Sequence, residues 1–418
     1  MRIVILNTHS VLNTGDAAIV KAQLDFAREV YPGADIALTS RTASLDRIAY
    51  DAWNVDVFPP LFPAPSAYSG RPGKTARLLT ETGNPAAKLR LLKCLSTADL
   101  VIGSGGGYFW TGRKRLPGPM FLQNILHVKI ASWMKKPLIH FPQSFGPLDG
   151  TAARRLLKNA LGGRGVRKIF AREDESHAFL CKLLAGSPGR NRVGICPDAV
   201  FLEPPIEPRR PRDRSRPLIA VTPRRWSFPN LPRRDARDRS RAYLAALEKA
   251  CSEIVRRLDA SILVLPWVRG PGRFEDDREI ARRLYRRLCT VLPENRAIYG
   301  GGAATDPPDA VMDRLARADL VIATRFHSAL LALLRGIPVV SIGYQPKSSS
   351  TLRSLGLQKY SLDIGDLSPE RISGLAAEAL AEAGDISDRM RAATEKLRME
   401  ARTKLKAGMA VACGRETL

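Results

Sequence analysis

Short apolar runs alternate along this chain with longer segments whose apolar residues recur at helical spacing. Ile3–Leu6 reads as a strand, residues 7–16 as a polar loop, and Ala17–Val30 as an amphipathic helix. Ile36–Thr39, Val55–Phe58 and Leu100–Ile102 read as further strands, the last running into Gly103-Ser104-Gly105-Gly106-Gly107. Phe121–Met134 then reads as a helix, with Leu138–Phe141 and Lys168–Ala171 as strands. The pattern lapses over residues 204–241, rich in proline and arginine and interrupted by a strand at Leu218–Thr222. It resumes with helix Arg241–Leu258, strand Ile262–Leu265, helix Glu275–Val291, strand Leu320–Ala323, helix Ser328–Leu334 and strand Val339–Ile342. From Pro369 to about Leu405 the chain looks helical throughout. Strands separated by helices at this pitch predict an α/β protein with parallel sheets covered on both faces.

An internal echo refines the picture. Thr97-Ala98-Asp99-Leu100-Val101-Ile102-Gly103 matches Arg317-Ala318-Asp319-Leu320-Val321-Ile322-Ala323, and each is followed, after a loop and a helix, by a proline-led strand at 137 and 338. The expectation is two Rossmann-like domains facing a cleft: an N-terminal α/β domain over 1–203, a linker over 204–216, a C-terminal α/β domain over 217–368, and a helical segment over 369–418. Ligands in such sheets bind outside the carboxyl ends of strands, and paired domains leave a cleft.

Composition bounds the function. Of 418 residues, 44% are apolar and 26% charged, which excludes wholesale disorder. The net charge of +25 points to polyanionic surroundings: nucleic acid, anionic lipid or phosphorylated substrates. The start, Met1 to Leu6, is too short for a signal-peptide apolar region, and the longest apolar stretch, residues 318–344, is broken by Asp319, Arg325, His327 and Arg335. Six scattered cysteines show no CxxC spacing, so a cytoplasmic protein with reduced thiols is expected.

Candidate chemistry gathers where strands end. Asn13-Thr14-Gly15-Asp16 stands before a helix, where it can receive an anion or hydroxyl-rich ligand, or where Asp16 can simply cap the helix. The run around Gly105 and Gly106 is neither a P-loop nor a GxGxxG fingerprint; it suits either close ligand approach or a tight turn. Gln143 and Ser144, after the strand at 138–141, are read as hydroxyl or carboxylate binders, since no GxSxG surrounds Ser144. Arg172 follows the next strand; its planar fork suits carboxylate or phosphate, with a salt bridge to Glu173 or Asp198 as the plain alternative. Arg325, His327 and Lys347 fall at the carboxyl ends of successive strands and together describe a seat for a small polyanion. His9, His127, His140 and His177 are read as structural or solvated. No cluster has metal-ligand spacing, so no metal is expected.

The ordered set Asn13-Thr14-Gly15-Asp16, Gly105-Gly106-Gly107, Gln143-Ser144-Phe145-Gly146-Pro147, Arg172-Glu173-Asp174-Glu175-Ser176, Pro197-Asp198, Arg325-Phe326-His327 and Tyr344-Gln345-Pro346-Lys347 resembles the polysaccharide pyruvyl transferase family. The resemblance implies a GT-B-like pair of domains and transfer of the pyruvyl group of phosphoenolpyruvate onto a sugar, with phosphoenolpyruvate as donor substrate and no other cofactor. By the same carry-over Arg172, His327 and Lys347 contact the donor, and Arg325 stands at the family's arginine. Phosphoenolpyruvate carries a carboxylate and a phosphate, which Arg172, Arg325 and Lys347 would counter. His327 is the candidate acid or base; Asp16 is the candidate base on the acceptor side, with Asn13, Gly15, Gly105, Gly106, Gln143 and Ser144 around the acceptor. Residues 204–241 and those beyond 370 match no motif.

Two other readings compete. A nucleotide-sugar glycosyltransferase uses the same architecture, though no carboxylate for a ribose is apparent near His327. A nucleic-acid-binding protein would explain the charge, but the Arg-rich segment has few interleaved aromatics and no helix-turn-helix or zinc-finger pattern. A third explanation of the charge is a lipid-linked sugar acceptor, with a cationic face drawing the protein peripherally to anionic membrane at the inner leaflet.

Overall fold

The computed structural model describes residues 1–62, 84–111, 116–204, 216–228, 231–272, 275–302, 306–344 and 351–414. The expected linker at 204–216 falls almost entirely outside these residues, as does Lys347.

The first sheet is built from β1 (Arg2–Leu6), β2 (Asp35–Thr39), β3 (Asp56–Phe58), β4 (Leu100–Gly103), β5 (Gly106–Phe109), β6 (Leu138–Phe145), β7 (Val166–Ala171) and β8 (Val193–Ile195). Their order is β3-β2-β1-β4-β6-β7-β8, with β5 beside β6, and every pairing is parallel. The second sheet takes β9 (Leu218–Thr222), β10 (Ser261–Val264), β11 (Ala297–Tyr299), β12 (Leu320–Ala323), β13 (Val339–Gly343) and β14 (Ser361–Asp363) in the order β11-β10-β9-β12-β13-β14, again all parallel. The helices are α1 (Thr14–Val30), α2 (Ala43–Ala49), α3 (Pro85–Ser96), α4 (Pro119–Trp133), α5 (Thr151–Leu161), α6 (Asp174–Leu183), α7 (Arg233–Leu258), α8 (Arg278–Val291), α9 (Pro308–Leu315), α10 (Phe326–Leu333), α11 (Pro369–Ala381) and α12 (Ala383–Ala412).

Alternation along β1 shows how the layers form. Ile3 and Ile5 join one apolar cluster, with α1 and α12, while Val4 and Leu6 join another, with α3, α4, α5 and α6. A strand buried on both sides reads as a continuous apolar run, as this one does. The first cluster continues into the second sheet without a break, so the two halves share one core.

The sequence echo has a specific cause. Asp99 and Asp319 each precede the strand beside the first strand of their sheet, and each accepts that strand's first amide: Arg2 N donates to Asp99 Oδ2 and Leu218 N to Asp319 Oδ2, both at 2.7 Å. The carboxylate satisfies a donor that the parallel ladder leaves open at the sheet edge.

Several elements differ from expectation. β6 runs on to Phe145, so Gln143 and Ser144 belong to a strand rather than to a loop after it, and β5 pairs alongside them. α7 starts at Arg233, eight residues early, because its first turns are exposed and charged and carry no apolar period; Asp238 and Arg241 pair there at 3.6 Å. The C-terminal region is two helices. α11 packs on α7, and α12 returns to the first sheet, where Leu405 and Met409 are buried and Cys196 Sγ approaches the Ala401 carbonyl at 4.0 Å. Among the described residues no helix is long and apolar enough to cross a membrane.

Candidate functional site

The carboxyl ends of β1, β6 and β7 and the start of α10 meet between the sheets. Arg172 follows β7 directly, and its guanidinium is almost completely buried. Nε donates to Ser144 Oγ at 2.8 Å and to Glu173 Oε2 at 3.3 Å; Nη1 donates to Asp198 Oδ2 at 2.6 Å. His327, the second residue of α10, comes from the other half of the chain: its Nε2 lies 3.4 Å from Arg172 Nη1 and 3.5 Å from Asp198 Oδ2. Burial alone would raise the Asp198 carboxyl, but Arg172 and His327 hold it well below the usual carboxylate range. Burial opposes the charge of Arg172 too, and Asp198 and Glu173 more than offset it.

Gly15 explains how an imidazole from the second half reaches the first. A Cβ at residue 15 would stand 2.5 Å from His327 Cβ and 2.9 Å from its Nδ1, so only glycine admits the ring. The loop around it is held to the other half as well: Thr14 Oγ1 donates to the Trp267 carbonyl at 3.0 Å, and Asn13 bridges to Val268.

Asn13, not Asp16, caps α1: its Oδ1 accepts from Gly15 N at 3.2 Å, and its Nδ2 donates to Asp16 Oδ2 at 2.5 Å. Asp16 is therefore left to face the cleft, where Tyr108 Oη donates to its Oδ1 at 3.2 Å and His9 Nδ1 lies 3.6 Å from its Oδ2. The Tyr108 ring stacks beside His9, with 6.4 Å between centroids. Gly106, at φ +131°, makes room for it, because a Cβ there would meet the Tyr108 ring at 2.5 Å. Gly105 is equally tight, against the Pro142 carbonyl at 3.0 Å. Burial and the neighbouring Asp16 push the Tyr108 phenol well above its ordinary value, so it stays a donor.

His9 is buried rather than solvated, and it joins the two halves of the chain at the cleft. Arg41 Nη1 lies 2.5 Å from its Nε2, and Glu275, from the second half, stands 3.6 Å from the same atom and 3.2 Å from Arg41 Nη1. Burial would raise Glu275, but Arg41 and His9 hold it well below the carboxylate range. The signal for His9 was its place just past β1, at a strand's carboxyl end. His127 and His140 are core residues as expected.

Two expected residues sit differently. Arg325 does not lie open in the cleft: Nε and Nη2 grip Asp277 at 2.8 and 2.7 Å, and Nη2 also donates to the Glu275 carbonyl at 2.8 Å. Its bidentate pair with a fully buried Asp277 fixes the chain at 275–277. Gln143 is buried at 1% exposure and its amide lies 3.0 Å from His140 Nδ1, because β6 continues past the expected end and turns this side chain inward. The cleft is accordingly not a simply positive gap; Arg172, Arg41 and Arg325 each face a carboxylate.

Arg224, two residues past β9, was missed. It lies over the Tyr344 ring at 3.9 Å and the Trp226 ring at 5.0 Å, and among the described residues it has no carboxylate partner and its buried Nε no hydrogen-bond acceptor. Burial, then the nearby Arg325, lowers it to about 10. A buried donor without a partner in a cleft marks a place for an anionic group. Among the described residues no cluster of three or more His, Cys, Asp or Glu is arranged to hold a metal.

Comparisons with known proteins bear on the fold and the family. The chain resembles the structure of Anabaena HepE in complex with UDP and glucose (14% identity, 96% of this chain and 95% of that one, TM-score 0.56). It also resembles the UDP-GlcNAc 2-epimerases of Methanocaldococcus jannaschii (12% identity, 96% and 99% covered, TM-score 0.52) and Neisseria meningitidis (11% identity, 95% and 98% covered, TM-score 0.51). At such identities the likeness shows the fold, which is GT-B-like. The model of the polysaccharide pyruvyl transferase family matches residues 13–346, the span that holds Asn13, Arg172 and His327, and the chain belongs to that family.

Proposed function

We propose that the cleft moves the pyruvyl group of phosphoenolpyruvate onto two hydroxyls of a sugar in a polysaccharide precursor, closing a cyclic ketal. The observation that carries this reading is the meeting of His327 with Arg172, Ser144 and Asp198 across Gly15. It joins a proton-carrying ring, a buried guanidinium and a hydroxyl at the mouth of two parallel sheets.

In this reading a proton passes from the His327 imidazolium to the donor's methylene carbon, leaving C2 electron-poor. An acceptor hydroxyl bonds to C2; a second hydroxyl then displaces phosphate at the same carbon. Of the two hydroxyl protons, one replaces that on His327 and the other leaves with phosphate, so the ring ends as it began. Asp198 is the counter-charge for the protonated ring, 3.5 Å away. Arg172 and Arg224 receive the donor's carboxylate and phosphate, with Lys347 assigned by family resemblance. Arg325, already gripped by Asp277, is a positioning residue for that wall. Asp16, held by Asn13 and Tyr108, takes up the second hydroxyl proton and passes it to the departing phosphate, while Gly105, Gly106 and Ser144 shape that side. Charge arranged in advance and shielded from water commonly supplies the largest catalytic term.

The test is calorimetric titration of the full chain with phosphoenolpyruvate and with a panel of UDP-sugars, followed by mass spectrometry of sugar acceptors. The expected result is donor binding, transfer of one enolpyruvyl increment, and loss of turnover with retained fold in His327→Ala and Arg172→Ala. Binding of UDP-sugars alone, or near-normal transfer by either variant, overturns the reading.

A further inference from the structure

Three of the four helices on one face of the first sheet, α3, α4 and α5, differ in charge from α12 on the opposite face. α3, α4 and α5 contribute to one cluster, which holds Leu91, Ile125 and Leu157; α4 packs on α5, and α3 packs on β1 and β3. Their sequences contain seven Lys or Arg and not one Asp or Glu. None of the seven cations forms an ion pair among the described residues. The helix on the opposite face of the same sheet shows the usual pattern: α12 pairs Arg391 with Asp388, Arg398 with Glu395 and Lys404 with Glu400.

Apolar side chains stand among these cations without cover. Leu122, Leu126 and Trp133 are all exposed, and their spacing of four and seven residues puts them on one stripe of α4. Trp133 is 82% exposed at the end of α4, and Leu89 is 66% exposed on α3. A tryptophan and leucines flanked by unpaired cations is the composition of a surface that lies at a headgroup boundary.

We propose that the α3–α5 face docks on an anionic bilayer surface, with Trp133, Leu126, Leu122 and Leu89 entering the interface and the cations contacting lipid headgroups. A second copy of the chain is a poor occupant, because twofold pairing would bring identical cations together with no acid to answer them. The face is also placed to matter. On its buried side α4 carries Asn124, whose Nδ2 donates to the Tyr108 carbonyl at 3.4 Å, and Tyr108 Oη in turn bonds Asp16. Docking through α4 sets the Asp16 side of the cleft next to the membrane surface, within reach of an acceptor whose sugar is tethered to lipid. The inference stands on surface composition and geometry and does not rest on the donor assignment.

Cosedimentation of the full chain with phosphatidylcholine vesicles, and with vesicles also containing phosphatidylglycerol, tests it. Binding is expected to the anionic vesicles only. Lys88→Gln/Arg90→Gln/Lys93→Gln lowers the partition coefficient by roughly a hundredfold, given about fivefold per cation. Leu126→Ser/Trp133→Ser lowers it by about tenfold or more. Both variants keep the wild-type melting temperature, and wild-type tryptophan fluorescence is quenched by brominated lipid less strongly in Trp133→Phe. Equal binding to both vesicle types, no binding to either, or unchanged binding by the variants overturns the proposal. So do equal, salt-sensitive binding to duplex DNA through the same cations and a dimer that Trp133→Ser dissolves. Transfer to a water-soluble acceptor is measured in parallel: its retention in variants that lose vesicles separates this proposal from the catalytic one.

Discussion

His327 reaches its partners only because residue 15 has no side chain, and that dependence is directly testable. In Gly15→Ala the new methyl would stand 2.5 Å from His327 Cβ, and the ring must move. Because a misplacement near 1 Å can cost about a hundredfold, turnover is expected to fall by about that factor, and because the new methyl meets His327 Cβ rather than a mobile side-chain end the melting temperature falls as well. Steady-state transfer and a thermal melt of the same preparation check both halves. Arg224 makes the opposite kind of claim. It is buried against Tyr344 and Trp226 without a carboxylate, so Arg224→Met removes an uncompensated charge and leaves stability equal or raised. Donor affinity should weaken by about tenfold to a hundredfold, the range for a hydrogen bond to a charged group. An unchanged dissociation constant with a lowered melting temperature would make Arg224 a structural residue. Arg172 was legible as a candidate because it directly follows a strand, and His327 because it stands in the first turn of the helix after one. Gln143 misled because the apolar run at 138–141 ends before the strand does, and hydrogen-bond pairing carried β6 on to Phe145.

At the scale of elements, α12 is the piece whose role periodicity could not reveal. Its apolar side fits β6 and β7 so closely that a Cβ on Gly408 would lie 2.8 Å from Ile139 Cδ1 and 2.9 Å from Phe170 Cε2. Gly408→Val should destabilise the chain by about 1–3 kcal/mol through overpacking, measured as a lower urea midpoint with an unchanged slope. Amphipathicity says that a helix has a buried side; it does not say which sheet will receive it. The same limit applies to α7, whose charged first turns carry no period and read as loop until coordinates show them helical. By contrast β4 and β12 were legible as equivalent strands, and the structure adds the reason for their echo, since Asp99 and Asp319 perform the same capping in both sheets.

The molecule as a whole carries a pH dependence set by two buried rings. Burial lowers His127 to about 4 and His140 to about 3, and Leu61 N donates to His127 Nε2 at 3.2 Å, a bond that a protonated ring cannot accept. An unfolded imidazole titrates near pH 6.5, so above that pH both states are neutral and the native state loses nothing. As pH falls below it the unfolded chain takes up protons that the native rings refuse, and stability falls until their own values are reached. Urea unfolding at pH 7 and pH 4.5 should differ by about 2–3 kcal/mol per ring from this source, and His127→Gln should remove one share. Because burial raises the Asp46 carboxyl to about 6 and offsets part of this loss, the check is the difference between wild type and His127→Gln; equal profiles for the two would mean that ring is not shut away from water. What the sequence determined by itself was the repeating unit: strand and helix periods and turn glycines act over a few residues, where local chemistry suffices. It also placed the reactive residues at strand ends, since that follows from parallel connectivity. Only tertiary structure decided which of them meet. His327 and Glu275 reach Arg172, His9 and Arg41 across more than a hundred residues of chain, brought there by packing between two sheets, which no local period encodes.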